Sequence, residues 1–248
     1  MALILVTNDD GVLSEGLMAL FEAMKDVAEA VIVAPDRERS ATSHSLTMHR
    51  PLRVTKIKEA IYAINGTPTD CVTLGIGKIL GRKPDLVASG INKGGNLGDD
   101  ITYSGTVSAA FEGTILGVPS FAISMLWDDG GFHFSTAAEF AKKIARAIVD
   151  KGLPRDTLLN VNVPNAESVA GVKFTKQGKR VYCNSIQETN DPWGKKHYWI
   201  GGGSPSWEED AHTDFLAVEA GYISVTPLHL DLTNYDALKK IEKEWKEL

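Results

Sequence analysis

Cysteine is scarce in this chain. Only Cys71 and Cys183 occur among its 248 residues, and they form neither a Cys-x-x-Cys pair nor part of a histidine cluster. This spacing argues against a disulfide framework and against a zinc site built from thiolates. We therefore expect both cysteines to be buried thiols in a reducing compartment.

Long apolar runs and an excess of positive charge are also missing. No apolar segment approaches the roughly 18 residues that indicate a membrane span, and Asp9 comes too early for the hydrophobic region of a signal peptide. We expect a cytoplasmic protein with no membrane partner. The formal net charge of −6 argues against a broad contact with duplex nucleic acid, so any nucleic-acid-like ligand should be small.

What the chain does contain is the pattern of a doubly wound α/β protein. Hydrophobic residues make up 43% of the chain and charged residues 23%, as is ordinary for a globular domain. Short buried strands alternate with amphipathic helices up to about Val163. This alternation predicts a three-layer α/β/α, Rossmann-like fold with a mostly parallel sheet, which forms a catalytic core over residues 1–170.

The sequence changes in character after about Gly171. Trp193, Trp199 and Trp207 lie in a stretch without helical period. We predict that residues 171–248 form a C-terminal extension of the same domain, ending in a helix from Asn234 to Lys246. Because large aromatic side chains are enriched in interface cores, this extension is expected to build the oligomer. The alternative is that the aromatic residues cover their own core.

Two adjacent carboxylates follow the first predicted strand. Ile4 to Thr7 has the pattern of a strand buried on both faces, and Asp9 and Asp10 come directly after it, before Gly11. Ligands of open α/β sheets collect beyond the carboxyl ends of such strands. Neighbouring carboxylates repel each other, and a hard divalent ion relieves that repulsion. The alternative is that these residues form only a turn, which each of them favours.

Four strand-to-helix connections share this polar and glycine-rich composition, and parallel strands would bring them to one edge of the sheet. Carboxylate, hydroxyl and amide oxygens suit Mg²⁺, Mn²⁺ or Ca²⁺. Ser104-Gly105-Thr106 precedes a helix, where backbone N–H groups would point at an anion and Gly105 would let a phosphate come close. A cation beside an anion cradle indicates phosphate chemistry. The four segments are Asn8 to Gly11, Asp36 to Ser40, Gly90 to Gly98, and Ser104 to Thr106.

Five ordered motifs resemble those of the SurE survival-protein family of metal-dependent nucleotidases, and the resemblance runs nearly end to end. The motifs are Val6-Thr-Asn-Asp-Asp-Gly11, Ala34-Pro-Asp-Arg-Glu-Arg-Ser40, Gly66-Thr-Pro-Thr-Asp-Cys71, Ser89-Gly-Ile-Asn92 and Tyr103-Ser-Gly-Thr-Val107. The resemblance implies a homodimer or homotetramer that hydrolyses nucleoside 5′- and 3′-monophosphates, with some activity on short polyphosphate. It also implies one divalent ion, Mg²⁺ or Mn²⁺, with four ligands: Asp9, Asp10, Ser40 and Asn92. Gly95 departs from the family, where proline is usual, and this could alter the rigidity of the loop.

The residues expected to bind the phosphate are Asn96, Ser104, Gly105 and Thr106, and Asp9 or Asp10 is expected to accept a proton from the attacking water. Three simpler readings stay open. Ser40 could cap a helix, Asn96 could be a left-handed turn residue, and His44 could be a hydrogen-bonded loop histidine rather than an acid or base.

Two rival functions also stay open. An aspartate could act as a covalent nucleophile, although enzymes of that kind generally use Asp-x-Asp spacing. The chain could instead sense nucleotides without turnover. A dinucleotide-binding dehydrogenase is disfavoured, because the first strand leads into Asn-Asp-Asp-Gly rather than Gly-x-Gly-x-x-Gly.

Overall fold

A computed structural model describes residues 2–127, 130–181, 186–200, 206–208 and 210–245. Its strands are β1 (Leu3–Thr7), β2 (Glu29–Pro35), β3 (Val54–Lys58), β4 (Ile61–Ile64), β5 (Leu86–Lys93), β6 (Ser120–Met125), β7 (Thr157–Val163), β8 (Val172–Phe174), β9 (Arg180–Val181), β10 (Ile186–Asn190), β11 (Lys196–Ile200), β12 (Ser206–Trp207) and β13 (Ile223–His229). Its α-helices are α1 (Glu15–Lys25), α2 (Pro68–Leu74), α3 (Gly105–Ile115), α4 (Phe134–Lys151), α5 (Asp214–Glu219) and α6 (Tyr235–Glu244). A π-helical turn spans Gly75–Ile79 and a 3₁₀ turn spans Gly98–Thr102.

A nine-stranded sheet forms the middle layer, in the order β3-β4-β2-β1-β5-β6-β7-β13-β8. The β3–β4 and β7–β13 pairs are antiparallel, and the other neighbouring strands are parallel. All five residues of β1 are buried, because this central strand is covered on both faces. The predicted doubly wound, mostly parallel sheet is confirmed.

Alternation along β1 divides the core between the two faces of the sheet. Ile4 and Val6 pack in the cluster that contains the apolar sides of α1 and α4. Leu5 points the other way, into a second cluster with Cys71 of α2 and Ala109 of α3. Two helices on each face give the three layers that the pattern predicted.

Local sequence features account for the start of helix α2. Thr67 caps α2 with its side chain, Asp70 completes the capping box, and Pro68 is the first helical residue. Strand β5 continues to Lys93, and Asn92 still pairs with Ser124 of β6. Asn92 therefore lies on the strand rather than in the following loop.

The structure bears on the expected burial of the cysteines and on the expected absence of a membrane span. Cys71 is fully buried, and burial raises the pKa of its thiol well above the ordinary value. Cys183 lies outside the described residues. Within the described ranges, every helix falls short of the combined length and apolar character that crossing a membrane requires.

Some of the described residues after 171 belong to the main sheet, and others form a separate two-stranded sheet. Strands β8 and β13 extend the main sheet. Strands β10 and β11 form a separate two-stranded sheet whose ten strand residues are all exposed, and Trp193 in the turn between them is 84% exposed. Helix α6 has no buried residue among those described. Only Trp207 of the three tryptophans packs inward, stacked on Phe215 at 4.5 Å between ring centroids.

Candidate metal and phosphate site

An open pocket of about 440 Å³ lies beyond the carboxyl ends of β1, β5 and β6. All four polar segments contribute to its wall, as the parallel sheet predicted. From the predicted site it contains Asp9, Asp10, Ser40, Asn92, Asn96 and Ser104. Other residues that line it are Glu38, Ala41, Lys93, Asp100, Tyr103 and Trp127.

Asp9 is buried against the start of α3, with only 6% of its surface exposed. The Thr106 hydroxyl donates a hydrogen bond to Asp9 Oδ1, and the backbone N–H groups of Gly105 and Thr106 lie close enough to this carboxylate to lower its pKa. Burial raises the pKa of Asp9, and these contacts oppose the rise. The positive end of the α3 dipole therefore faces a carboxylate of the protein itself.

Gly105 allows this close approach. A Cβ at position 105 would lie 2.8 Å from Asp9 Cβ and 2.9 Å from Asp9 Oδ2, which is closer than non-bonded carbon and oxygen atoms can pack. From the sequence we expected a phosphate to come close to Gly105. In the structure the group that lies close to Gly105 is the side chain of Asp9. Thr106 is fully buried behind Asp9 and is not among the pocket-lining residues.

Asp10 has a raised pKa and a buried carboxylate oxygen without a hydrogen-bond partner among the described residues. Burial, and secondly the charge of Asp9, raise the pKa of Asp10 to about 6, while the backbone N–H of Lys93 opposes the rise. Asp10 Oδ2 is buried and has no hydrogen-bond partner within the described part of the chain. A buried carboxylate oxygen without a partner is costly, and a cation shared with Asp9 would remove that cost.

Ser40 and Asn92 supply two further oxygen atoms to the pocket wall. The Ser40 hydroxyl donates to Glu38 Oε1 at 2.6 Å, and the described residues 41–53 form no helix that Ser40 could cap. The amide nitrogen of Asn92 donates to the Gly94 carbonyl at 2.8 Å, which leaves the amide oxygen as its free acceptor. Two carboxylates, a hydroxyl and an amide oxygen form a donor set that suits a hard divalent ion.

Asn96 is held by a network of buried amides. Its backbone N–H donates to Asn162 Oδ1 at 2.8 Å, and its side-chain nitrogen donates to Ser124 Oγ at 2.7 Å. Asn160 and Asn162 both donate to the Asn96 carbonyl. Asn96 is not among the residues with positive φ, so it is not a left-handed turn residue.

A carboxylate from the C-terminal extension clamps the same loop. Asp214 is fully buried and accepts hydrogen bonds from the backbone N–H groups of Gly98 at 2.8 Å and Gly178 at 2.9 Å. A Cβ at Gly98 would lie 2.6 Å from the Trp207 ring, and Gly98 adopts a φ of 51°. The extension therefore supports the pocket as well as completing the sheet.

His44 forms a structural pair outside the pocket. Its Nε2 lies 2.9 Å from Glu112 Oε2, and Thr73 donates to the other oxygen of Glu112 at 2.9 Å. The hydrogen bond from His44 lowers the pKa of Glu112. His44 is thus the hydrogen-bonded loop histidine that the simpler reading proposed.

Six residues that line the pocket, among them Glu38, Lys93 and Trp127, were not predicted as site residues from the sequence, and neither was the supporting residue Asp214. Glu38 lies inside the Ala34 to Ser40 motif, between Arg37 and Arg39. Trp127 lies two residues after the end of β6 and Lys93 is the last residue of β5, so the rule that sites collect at the carboxyl ends of strands could have identified both. No local signal marks Asp214, since its partner Gly98 is 116 positions away.

Fold and site together define a doubly wound α/β protein with an acidic pocket beside a helix N-terminus, suited to a cation and an anionic ligand. The family model of the survival protein SurE matches residues 4–184. The chain belongs to the SurE family, as the five motifs predicted.

Similar proteins cover almost the whole chain. The 5′-nucleotidase SurE of Geobacter sulfurreducens is 56% identical over 241 residues, which is 96% of this chain and 92% of the relative. The protein of the same name from Caldanaerobacter subterraneus is 47% identical, over 98% of this chain and 97% of the relative. The crystal structure of the SurE protein from Aquifex aeolicus superposes with a TM-score of 0.86 at 48% identity, covering 97% of this chain and 98% of that one.

Proposed function

We propose that this SurE-family nucleotidase hydrolyses nucleoside monophosphates with the help of one divalent cation, Mg²⁺ or Mn²⁺. The proposed ligands are Asp9, Asp10, Ser40 and Asn92. The observation that carries the proposal is the unpartnered, buried Oδ2 of Asp10 beside a second buried carboxylate. The names of the relatives, which are nucleotidases at about half identity over nearly their full length, support the reaction class.

The two aspartates would have different duties. Asp9 is fixed by Thr106 and by the start of α3, so it would serve as a rigid ligand. Asp10 has an oxygen that no described group occupies, and it is the better placed of the two to accept a proton from the attacking water. A bound divalent ion would supply Lewis acidity, which lowers the pKa of water and balances negative charge on the phosphate.

Phosphate contact would fall to Ser104 and Asn96, whose side chains line the pocket. Thr106 already bonds to Asp9, and the N–H groups of the first turn of α3 lie close to its carboxylate. We therefore propose Thr106 as a positioning residue for the metal ligand Asp9. Gly105 would act in the same way, by allowing Asp9 to approach.

Phosphate release from nucleoside 5′-monophosphates tests this function. We expect chelator-treated protein to be inactive and Mg²⁺ or Mn²⁺ to restore turnover, whereas Asp10→Asn should stay inactive with either ion. Thr106→Val, which is close in shape, should weaken metal affinity in calorimetry because Asp9 loses its hydroxyl donor. Full turnover after chelation would exclude the metal role, and binding without any release would favour a nucleotide sensor. Parallel assays with 3′-monophosphates and short polyphosphate test the wider activity.

We also propose that the β10–β11 hairpin and α6 contact a second copy of the chain, as a homodimer or homotetramer. The support is their exposure: Trp199 of β11 and Leu238 and Ile241 of α6 are large apolar side chains open to solvent, and such groups concentrate at interfaces. Light scattering on intact protein and on a Trp193→Ser/Trp199→Ser variant provides the test. A monomeric intact protein, or an unchanged oligomer in the variant, would contradict the proposal. The cytoplasmic location stays a prediction.

A further inference from the structure

A large aromatic side chain lies open in the wall of the pocket. Trp127 follows β6 by two residues and lines the same pocket as Asp9, Asp10 and Asn92, yet it is 69% exposed. An isolated exposed tryptophan on an outer surface would need no explanation. One placed in the wall of a polar pocket offers a ligand a broad apolar surface.

Neighbouring aromatic rings hold this indole in place. Trp127 meets Phe132 edge to face, with ring centroids 5.3 Å apart and planes at 81°. Phe132 in turn stacks on Phe134 at 5.5 Å with nearly parallel planes, and Lys93 Nζ lies 5.7 Å from the centroid of the Phe132 ring. The contact with Phe132 supports part of the indole and leaves most of its surface open to a ligand, and a ring that is held in place loses less entropy on binding.

The chemistry of the pocket divides it into two parts. The polar part contains Asp9, Asp10, Asn92 and Ser104, where the phosphate and cation are proposed to bind. A volume of about 440 Å³ lies in the range of pockets that enclose ligands much larger than a phosphate. A nucleoside whose phosphate bound there would have room along the rest of the wall, and Trp127 gives that wall a flat π-surface.

We propose that Trp127 stacks on the nucleobase of the substrate and is the residue that makes the enzyme prefer nucleotides to phosphate esters without a base. Every base has a π-face, so stacking tolerates different bases while rejecting base-free substrates. The inference rests on the proposed nucleotidase function and assigns the base-binding part of the same site.

Two substrates that differ only in the base provide the test: adenosine 5′-monophosphate and ribose 5-phosphate. For Trp127→Ala we expect kcat/KM for the nucleotide to fall about 5- to 150-fold, the range typical of losing one base–aromatic stack. The value for ribose 5-phosphate should change by less than about twofold, because its phosphate contacts are untouched. Trp127→Phe keeps an aromatic face and should recover part of the nucleotide preference.

Phe174→Ala is the matched control. It removes another aromatic ring, 79% exposed, from edge strand β8, and Phe174 does not line this pocket. Neither substrate should be affected by this change. Equal losses for both substrates in Trp127→Ala would overturn the inference, because they would show a structural role. Unchanged values for both substrates would overturn it too, because the base would then bind elsewhere.

Binding measurements separate this inference from the proposed function. If the wild-type protein released no phosphate from either compound, the nucleotidase proposal would fail. Calorimetry with the same two compounds would still test Trp127, because stacking contributes to affinity without turnover. A nucleotide affinity that Trp127→Ala leaves unchanged would then reject the stacking.

Discussion

Asp10 should make the metal-free protein less stable, and removing its charge should stabilise the fold. Burial and the neighbouring charge of Asp9 raise the pKa of Asp10 from 3.8 to about 6. The folded state therefore binds this proton more strongly than the unfolded state does. The resulting penalty is small below the unfolded pKa, grows as the pH rises towards 6 and is complete above it. A shift of about 2 pH units corresponds to about 3 kcal/mol.

Asp10→Asn removes this ionisation and keeps an amide oxygen for the Lys93 N–H. In metal-free protein at about pH 7.5 we expect a gain in unfolding free energy of up to about 3 kcal/mol, or about 6–12 °C in Tm for a chain of this size. At about pH 4.5 the gain should shrink to about 1 kcal/mol, since folded Asp10 is then mostly protonated. Added Mn²⁺ should stabilise the wild-type protein and not the variant.

Thermal unfolding of chelator-treated protein at the two pH values measures the effect. Glu59→Gln is the control, because it removes a carboxylate whose side chain is 97% exposed, where a loss of charge should matter little. The reasoning is refuted if Asp10→Asn is no more stable than wild type at the higher pH. An equal gain at both pH values would also refute it, because the effect would then not follow ionisation.

Two further substitutions test the geometry around the pocket. Gly105→Ala places a Cβ 2.8 Å from Asp9 Cβ. We therefore expect the variant to be destabilised by about 1–3 kcal/mol and to bind Mn²⁺ more weakly in calorimetry. An unchanged Mn²⁺ affinity would argue against the close contact. Asp214→Asn spoils an acceptor for the Gly98 N–H, so we expect a loss of about 1–3 kcal/mol and slower phosphate release. Asp210→Asn, at a surface ion pair, should cost less than about 1 kcal/mol, and equal effects of the two changes would contradict the clamp.

The local sequence pattern was sufficient to predict the fold class and the edge of the sheet at which the site lies. The apolar run of β1 fixed a central strand, and Asp9 and Asp10 had to fall at its carboxyl end, because strand direction and residue order are properties of the chain itself. The cap at Thr67 is equally local. Such features depend on periodicity and on neighbouring residues, which a sequence displays directly.

Tertiary packing decided which groups meet. The sequence placed Thr106 and Gly105 at the start of a helix, but only the packing of α3 against β5 and β6 turned them towards Asp9 rather than towards the pocket. Asp214 reached Gly98 across 116 positions, through the fold of the whole extension. The raised pKa of Asp10 arises in the same way, since burial is set by every element packed around a residue. Long-range contacts of this kind leave no periodic trace in a sequence, because their partners are chosen by the three-dimensional path of the chain.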